Sequence, residues 1–288
     1  MDALDHTLDH TPDHAVDRRS GLARMDARRQ GTVGLVLAGL VIGAWLANHV
    51  ALVWVLRPLE APLVVAAAVA VQVWLSVGLF IVAHDAMHGS LVPFRARANE
   101  AVGSVALGLY AGFPWAELLR KHHEHHRYAG TERDPDFSAS HPTSPALWYL
   151  GFMRGYMSWG LFAWITLLVS LYCVALEVLH PQPWRWLHAF VFWLFPSLVA
   201  SMQLFYFGTY RPHRHEEAGR PGFDDRHNSR SNEYPAWLSL LTCFHFGYHH
   251  EHHLAPSVPW WRLPALRRLR AAETDPVTRA VAASGEPA

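Results

Sequence analysis

The chain has 288 residues, with 24 basic and 24 acidic side chains, so its formal net charge is zero. A protein without a basic field has little attraction for nucleic acid, and this class of partner is excluded. Two cysteines, Cys173 and Cys243, are too few for a disulfide framework or a cysteine-rich metal site. The feature that needs explaining is the 21 histidines.

The first 30 residues are polar, and Asp–His pairs recur in them every four residues without apolar periodicity. Such a segment cannot bury a core, which predicts a disordered tail over residues 1–30. Adventitious metal binding by His6, His10 and His14 is the alternative for this segment. We expect the folded domain to cover 31–270 and a second tail to cover 271–288.

Four uncharged apolar stretches follow the tail, and each is long enough to cross a bilayer, which takes about 20 residues. They cover 32–56, 61–83, 155–176 and 187–210. Buried helices of a soluble protein are the alternative, but four uncharged runs of this length argue against it. The sequence therefore predicts an all-α integral membrane protein with four transmembrane helices.

Two shorter apolar runs, 101–116 and 236–248, fall below spanning length and predict interfacial or re-entrant helices. If the chain has four spans, five basic residues precede the first span and seventeen lie in 84–154 or after 210. The turn between the first two spans and the turn between the last two spans contain one basic residue each. The positive-inside rule then places this face, with both termini, in the cytoplasm. The short helices are expected to form a cytoplasmic cap.

Histidines cluster at three places on this predicted face, within 84–88, 122–126 and 245–253. Residues three and four apart share one helix face, so two such imidazoles can bind one metal ion or two adjacent ions. This spacing selects eight residues: His84, His88, His122, His125, His126, His249, His252 and His253. His213 lies just past the fourth span. If the helix that carries His249 also extends over the preceding residues, His245 lies on the same face as His249. His245 would then either bind the metal or contact a residue that does.

Eight imidazoles exceed what a single tetrahedral site can use, which predicts a dinuclear centre. The clusters contain no cysteine, which argues against structural zinc or an iron–sulfur cluster. Imidazole suits iron, and two irons could supply the electrons that split dioxygen. Oxidation of a lipid at a di-iron centre is the leading chemistry. Three nearby acids, Asp85, Glu124 and Glu251, either orient ligand rings by accepting the other ring N–H or are ordinary solvated side chains.

One rival interpretation comes from residues 84–88, HDAMH, which look like the HExxH motif of zinc proteases with Asp in place of Glu. That motif leaves the other two clusters unexplained. A second rival, a divalent-metal transporter, would place ionisable residues inside its spans. The four predicted spans contain no charged residue, which weighs against transport.

These motifs are similar to those of integral-membrane di-iron desaturases and hydroxylases, and they resemble bacterial-type β-carotene ketolases more closely. The resembling stretches are HDAMHG at 84–89, KHHEHHRYAGTERDPDF at 121–137, PSLVASMQLFYFGTYRPHR at 196–214, TCFHFGYHHEHH at 242–253 and PWWRLP at 259–264. The histidine boxes are common to the superfamily and indicate only the chemistry. The other stretches indicate the ketolase.

The resemblance implies an oxygenase that converts the C4 methylene of a β-ionone ring to a ketone by two hydroxylations and loss of water. β-Carotene would pass through echinenone to canthaxanthin, and hydroxylated carotenoids are further candidate substrates. The implied cofactors are two Fe²⁺ ions, with O₂ as cosubstrate. The electrons would come from an external donor such as reduced ferredoxin, because the chain shows no dinucleotide fingerprint.

The resemblance also implies that the eight histidines selected by their spacing are iron ligands. His213 is the next candidate ligand, and His245 is the last. It implies the bacterial inner membrane as the location. The alternatives are a related di-iron acyl-lipid desaturase or carotenoid hydroxylase and, from another class, the metal transporter.

A carotenoid stays in the bilayer, since exposing each CH₂ to water costs about 0.8 kcal/mol. An active site at the membrane boundary would let the ring reach the metals while the polyene stays in apolar surroundings. The aromatic residues expected to line that passage are Phe205, Tyr206, Phe207, Phe246 and Tyr248. Plain core packing is the alternative for each.

Overall fold

The computed structural model describes residues 25–179, 181, 185–215, 223 and 225–274. Within these ranges the chain forms helices joined by turns and contains no strand. The predicted N-terminal tail, 1–30, lies outside the described residues up to residue 24, with its three histidines, but its last four residues are helical, in a helix that begins at Ala27. The predicted C-terminal tail, 271–288, lies outside them from residue 275 onward, whereas its first four residues belong to a helix that ends at Thr274.

The described helices are α1 (Ala27–Val50), α2 (Pro62–Met87), α3 (Ala96–Ala111), α4 (Trp115–Tyr128), α5 (Pro145–Tyr156), α6 (Trp159–Leu179), α7 (Arg185–Ala189), α8 (Phe195–Phe205), α9 (Arg211–His213), α10 (Ala236–Cys243), α11 (His249–Leu254) and α12 (Leu263–Thr274). A π-helical turn at Ala51–Val55 extends α1. Two more, at Phe190–Leu194 and Tyr206–Tyr210, join α7, α8 and α9 into one continuous stretch.

Four helical stretches in the described part of the chain are long and apolar enough to cross a membrane, as the sequence predicts. They cover 27–55, 62–87, 159–179 and 186–213. The third begins four residues later than expected, because Gly155 belongs to the end of α5. Ser158 then starts α6: its Oγ accepts a hydrogen bond of 3.1 Å from the backbone N–H of Leu161, an N-terminal cap.

The short apolar run at 101–116 is broken by a sharp bend. Helices α3 and α4 meet at 99°. Gly112 makes the bend possible, since it ends α3 in the left-handed conformation at a φ of 74°. Only α3 and the first turn of α4 carry the apolar residues, which is the shape expected of a re-entrant or interfacial pair.

The second short run, 236–248, also departs from a single helix. Helix α10 ends at Cys243, and the next two residues, Phe244 and His245, have positive φ values of 47° and 65°. The chain therefore turns before α11 begins at His249.

Helix α2 lies at the centre of the bundle and packs against α1, α3 and α8. Helix α1 approaches the loop after α2 at Gly34, where a Cβ would collide with the backbone carbonyl oxygen of Leu91. On the same helix, Gly39 faces open space. The carboxyl-terminal end of α2 comes together with α4, α9 and α11, since histidine side chains from these segments meet within a few ångströms.

Candidate metal centre

The described structure gathers nine of the ten histidines predicted as ligands. Helix α2 supplies His84, and the residue that caps its carboxyl-terminal end is His88; α4 supplies three, α9 supplies one and α11 supplies three. Although the three sequence clusters and the residue after the last span lie far apart along the chain, their side chains meet in two adjacent groups.

The first group comprises His84, His88, His122, His126 and His252, and one ring nitrogen of each lies within 4.8 Å of all the others. Nε2 of His122 is 2.6 Å from Nε2 of His88, and Nε2 of His252 is 3.0 Å from Nε2 of His126. Nε2 of His84 is buried and has no hydrogen-bond partner among the described residues. Five ring nitrogens thus converge on one point.

The second group comprises His125, His213, His249 and His253, all of them buried, with ring nitrogens again within 4.8 Å of one another. Nε2 of His249 is 2.9 Å from Nε2 of both His213 and His253. Nε2 of His125 is 3.2 Å from Nε2 of His253. The Nδ1–H of His213 donates to the carbonyl oxygen of Asn228 at 2.8 Å, which orients its Nε2 toward the group.

The two groups are direct neighbours. The consecutive pairs His125–His126 and His252–His253 each give one ring to each group. The rings of His126 and His253 stack across the boundary, with centroids 4.2 Å apart and planes at 23°. The arrangement is that of two metal positions side by side.

The close nitrogen contacts fit metal ions better than hydrogen bonds. A neutral imidazole carries one N–H, so the convergent Nε2 atoms of five or four rings cannot all be satisfied by one another. An ion with metal–nitrogen bonds of about 2.1 Å would hold its ligand nitrogens up to about 4.2 Å apart, close to the spread observed. A set of imidazoles without thiolate suits iron, copper or zinc.

Most of the gathered rings are held in the neutral form that binds metal. Burial, reinforced by neighbouring imidazoles, lowers the pKa of six rings well below the ordinary value. These are His88, His122, His126, His249, His252 and His253.

His125 differs because it faces carboxylates. Its Nδ1–H donates to Asp134 at 3.0 Å, and an oxygen of Asp136 lies 3.7 Å from the same nitrogen. Burial lowers the pKa of His125, but the two carboxylates outweigh burial and raise it to about 9. Asp134 is in turn held by the backbone N–H groups of Gly130 and Asp136, each at 2.8 Å. The carboxylate thus orients the His125 ring and makes it a strongly basic ligand.

The sequence left open whether Asp85, Glu124 and Glu251 orient ligand rings or are ordinary solvated side chains. Asp85 lies 3.8 Å from Nδ1 of His84, beyond hydrogen-bond distance. The other two acids form ion pairs instead: Glu124 pairs with an arginine on its own helix and Glu251 pairs with Arg267, each at 2.8 Å. The role of Asp134 was missed. The available signal was a carboxylate nine residues after His125, inside the DPDF string.

His245 is the one predicted ligand that the structure leaves outside both groups. Its inclusion depended on the α11 helix continuing backwards, but the positive φ of 65° at His245 turns the chain away. Its ring stacks on Tyr248 and Trp260, with centroid distances of 5.9 and 6.0 Å. His123 also lies outside both groups, with Nε2 3.3 Å from the carbonyl oxygen of Met87.

A cavity of about 210 Å³ adjoins the two groups. Its inner wall includes four of the gathered rings, those of His84, His122, His125 and His249. The remaining walls are largely aromatic and aliphatic side chains from α2, α3, α5, α6 and α8. The cavity therefore presents the histidine groups to an apolar ligand.

Two of the five aromatic residues expected along a substrate passage, Phe205 and Phe246, line this cavity. Phe246 packs so tightly over Gly208 that a Cβ at that position would collide with its ring. The other three are not among its lining residues. Tyr206 is 41% exposed, Phe207 packs on the hydrophobic core, and the buried Tyr248 donates its hydroxyl hydrogen to a backbone carbonyl at 2.7 Å.

Comparison with known proteins gives a family match over most of the chain. The family model described as fatty acid desaturase matches residues 60–168 and 151–280. These ranges include every histidine of the two groups.

Several characterised proteins are similar to this chain. A β-carotene ketolase from one Paracoccus strain is 50% identical over 234 residues, which is 81% of this chain and 91% of that protein. A β-carotene ketolase from a second Paracoccus strain is 47% identical over 250 residues, 85% of this chain and 98% of that protein. A zeaxanthin 4-ketolase from Chlamydomonas reinhardtii is 39% identical over 197 residues, 68% of this chain and 42% of that protein.

Proposed function

The chain belongs to the fatty acid desaturase family and, within it, to the β-carotene ketolases, and we propose that it oxidises the C4 methylene of a carotenoid β-ionone ring to a ketone. The observation that carries this proposal is the pair of histidine groups in the wall of an apolar cavity. Because a hydrocarbon ring offers no polar handle, such a cavity can present it directly to a metal centre.

We assign the metal ligands to the nine gathered histidines. His84, His88, His122, His126 and His252 would hold one iron, and His125, His213, His249 and His253 the other. His245 is left out because it lies in neither group. Bound iron would supply the activation of dioxygen that C–H oxidation requires. The protein's own part is to orient these rings, to bury them away from water and to keep most of them neutral.

The reaction balances as two successive hydroxylations at one carbon. Each consumes one O₂, two electrons and two protons, replaces a C–H bond by C–O–H and releases one water. The resulting geminal diol loses water to leave the ketone, and this last step involves no oxidation or reduction. β-Carotene would give echinenone after one ring and canthaxanthin after both.

The size of the cavity supports a substrate that is only partly enclosed. Its volume of about 210 Å³ is below the roughly 300–1,000 Å³ of pockets that enclose a whole drug-sized ligand. The cavity suits one ring of a carotenoid, with Phe205 and Phe246 against it. The polyene would extend between the helices into the bilayer, where its burial is retained.

The membrane, the orientation in it and the electron donor follow from the same proposal. The multi-pass helices would lie in a bacterial inner membrane, with the histidine end facing the cytoplasm, where 22 of the 24 basic residues would also lie. Electrons would come from a soluble one-electron donor of the ferredoxin type on that side.

The proposal is tested by expressing the chain in a bacterium that accumulates β-carotene and analysing the extracted pigments by chromatography and mass spectrometry. Each oxidised ring is expected to gain one oxygen atom and lose two hydrogen atoms. Variants His122→Ala and His253→Ala, one from each group, serve as inactive controls. Unchanged pigment together with new fatty-acid double bonds would instead indicate a lipid desaturase.

A further inference from the structure

One hydroxyl group in the wall of the apolar cavity, that of Tyr156, has no part in the metal-binding arrangement described above. The hydroxyl of Tyr156 donates to Oδ1 of Asp136 at 2.5 Å, and both residues line the cavity. The other carboxylate oxygen of Asp136 is 3.7 Å from Nδ1 of His125. The tyrosine hydroxyl is therefore placed beside the end of the cavity at which the metal ligands lie.

The Tyr156 ring is held in a fixed position. The ammonium nitrogen of Lys121 lies 4.1 Å from the ring centroid, and the same nitrogen donates to the carbonyl oxygen of Gly155 at 2.5 Å. Burial, and next the charge of Asp136, raise the pKa of Tyr156 well above its ordinary value, so the phenol keeps its proton. Because that proton points at Asp136, the tyrosine oxygen is left as a hydrogen-bond acceptor facing the cavity.

The hydroxyl groups of three other cavity residues, Tyr110, Ser197 and Ser201, form hydrogen bonds with other partners. The hydroxyls of Tyr110 and Ser197 each donate to the other residue's backbone carbonyl, which ties α3 to α8. Ser201 bonds to Tyr149 at 2.6 Å. The Tyr156–Asp136 pair differs from these in its direct approach to His125.

We infer that Tyr156 binds the hydroxyl group of the singly hydroxylated ring and holds its C4 carbon at the metals for the second oxidation, an inference that rests on the proposed function. A hydroxyl left unpaired in an apolar cavity costs about 1–3 kcal/mol and would favour release of the alcohol. The alcohol O–H donates to the Tyr156 oxygen and so remains. Tyr156 gains and loses no electrons, and its role is to decide whether the product is an alcohol or a ketone.

The test is the Tyr156→Phe variant, with Tyr149→Phe as the matched control on the same helix. Both changes remove one phenol hydroxyl, but Tyr149 is not a lining residue of the cavity. With β-carotene, Y156F is expected to raise the ratio of 4-hydroxy to 4-keto product about 10-fold, the worth of one hydrogen bond. Its kcat/KM for 4-hydroxy-β-carotene should fall about 10-fold relative to β-carotene, while Y149F behaves as wild type.

An unchanged product ratio in an active Y156F would overturn the inference. If Y156F forms no product, the affinities of the iron-loaded variant for 4-hydroxy-β-carotene and β-carotene are compared by carotenoid absorption. An about 10-fold loss confined to the alcohol supports the inference, and an unchanged affinity ratio contradicts it. Wild-type protein that forms no ketone rejects the proposed function and the inference together. If the wild-type protein forms ketone and Y156F gives the same ratio of 4-hydroxy to 4-keto product, only the role of Tyr156 is rejected.

Discussion

Replacing Asp134 by asparagine is expected to weaken metal binding at the second histidine group. The two oxygens of Asp134 receive three hydrogen bonds, from Nδ1–H of His125 and from the backbone N–H groups of Gly130 and Asp136. In asparagine an NH₂ group replaces one of these oxygens. In either orientation of the amide, this NH₂ group faces a backbone N–H that donated to the carboxylate, so two donors oppose each other. The variant loses the carboxylate charge as well.

The size of the effect follows from that contact. Removing a carboxylate that orients a metal-bound imidazole typically costs 10–100-fold in metal affinity. We expect about this loss in D134N, equivalent to about 1.4–2.7 kcal/mol. The fold should persist, because the asparagine oxygen still accepts one or two of the three bonds.

The assay is dialysis of iron-loaded protein against graded chelator concentrations, with retained iron measured by atomic spectroscopy. The control is Asp225→Asn, because Asp225 pairs with His250 at 3.5 Å, a carboxylate–histidine contact outside both metal groups. D225N should retain iron as wild type does. Equal iron retention by D134N and wild type would refute the assigned role of Asp134.

Three further experiments test separate parts of the structure. Gly34→Ala, which drives a Cβ into a backbone carbonyl, should destabilise the protein by about 1–3 kcal/mol. Gly39→Ala on the same helix meets nothing and should be neutral or stabilising by up to about 1 kcal/mol; thermal unfolding in detergent distinguishes the two. His122→Ala should lose iron whereas His123→Ala keeps it, and equal iron contents would contradict the grouping. Gly208→Ala should push the ring of Phe246 into the cavity and so lower kcat/KM at unchanged iron content. Unaltered kinetics would show that the Phe246 ring moves without narrowing the cavity.

The spans and most of the gathered histidines could be predicted because each depends on a local pattern. Apolar length alone indicates a transmembrane helix, and spacing of three and four residues alone puts His122, His125 and His126 on one helix face. The spacing does not specify which ring joins which group. That division depends on how α2, α4, α9 and α11 pack.

The failures of prediction come from features that a single sequence does not encode locally. His245 was included on the assumption of a continuous helix, and two positive φ values in succession, at Phe244 and His245, break it. Asp134 was overlooked because it reaches His125 through a turn after α4 rather than along a helix face. Tyr248 was expected near the substrate, but it packs in a separate small core with Leu263.

The central claim, two adjacent irons held by nine histidines at a carotenoid cavity, is tested most directly by an iron titration of the purified protein under anaerobic conditions. Ketone formation from β-carotene is then measured after adding reductant and dioxygen. The account predicts that activity rises until about two irons are bound per chain. Full activity at one iron per chain, or without iron, would contradict it.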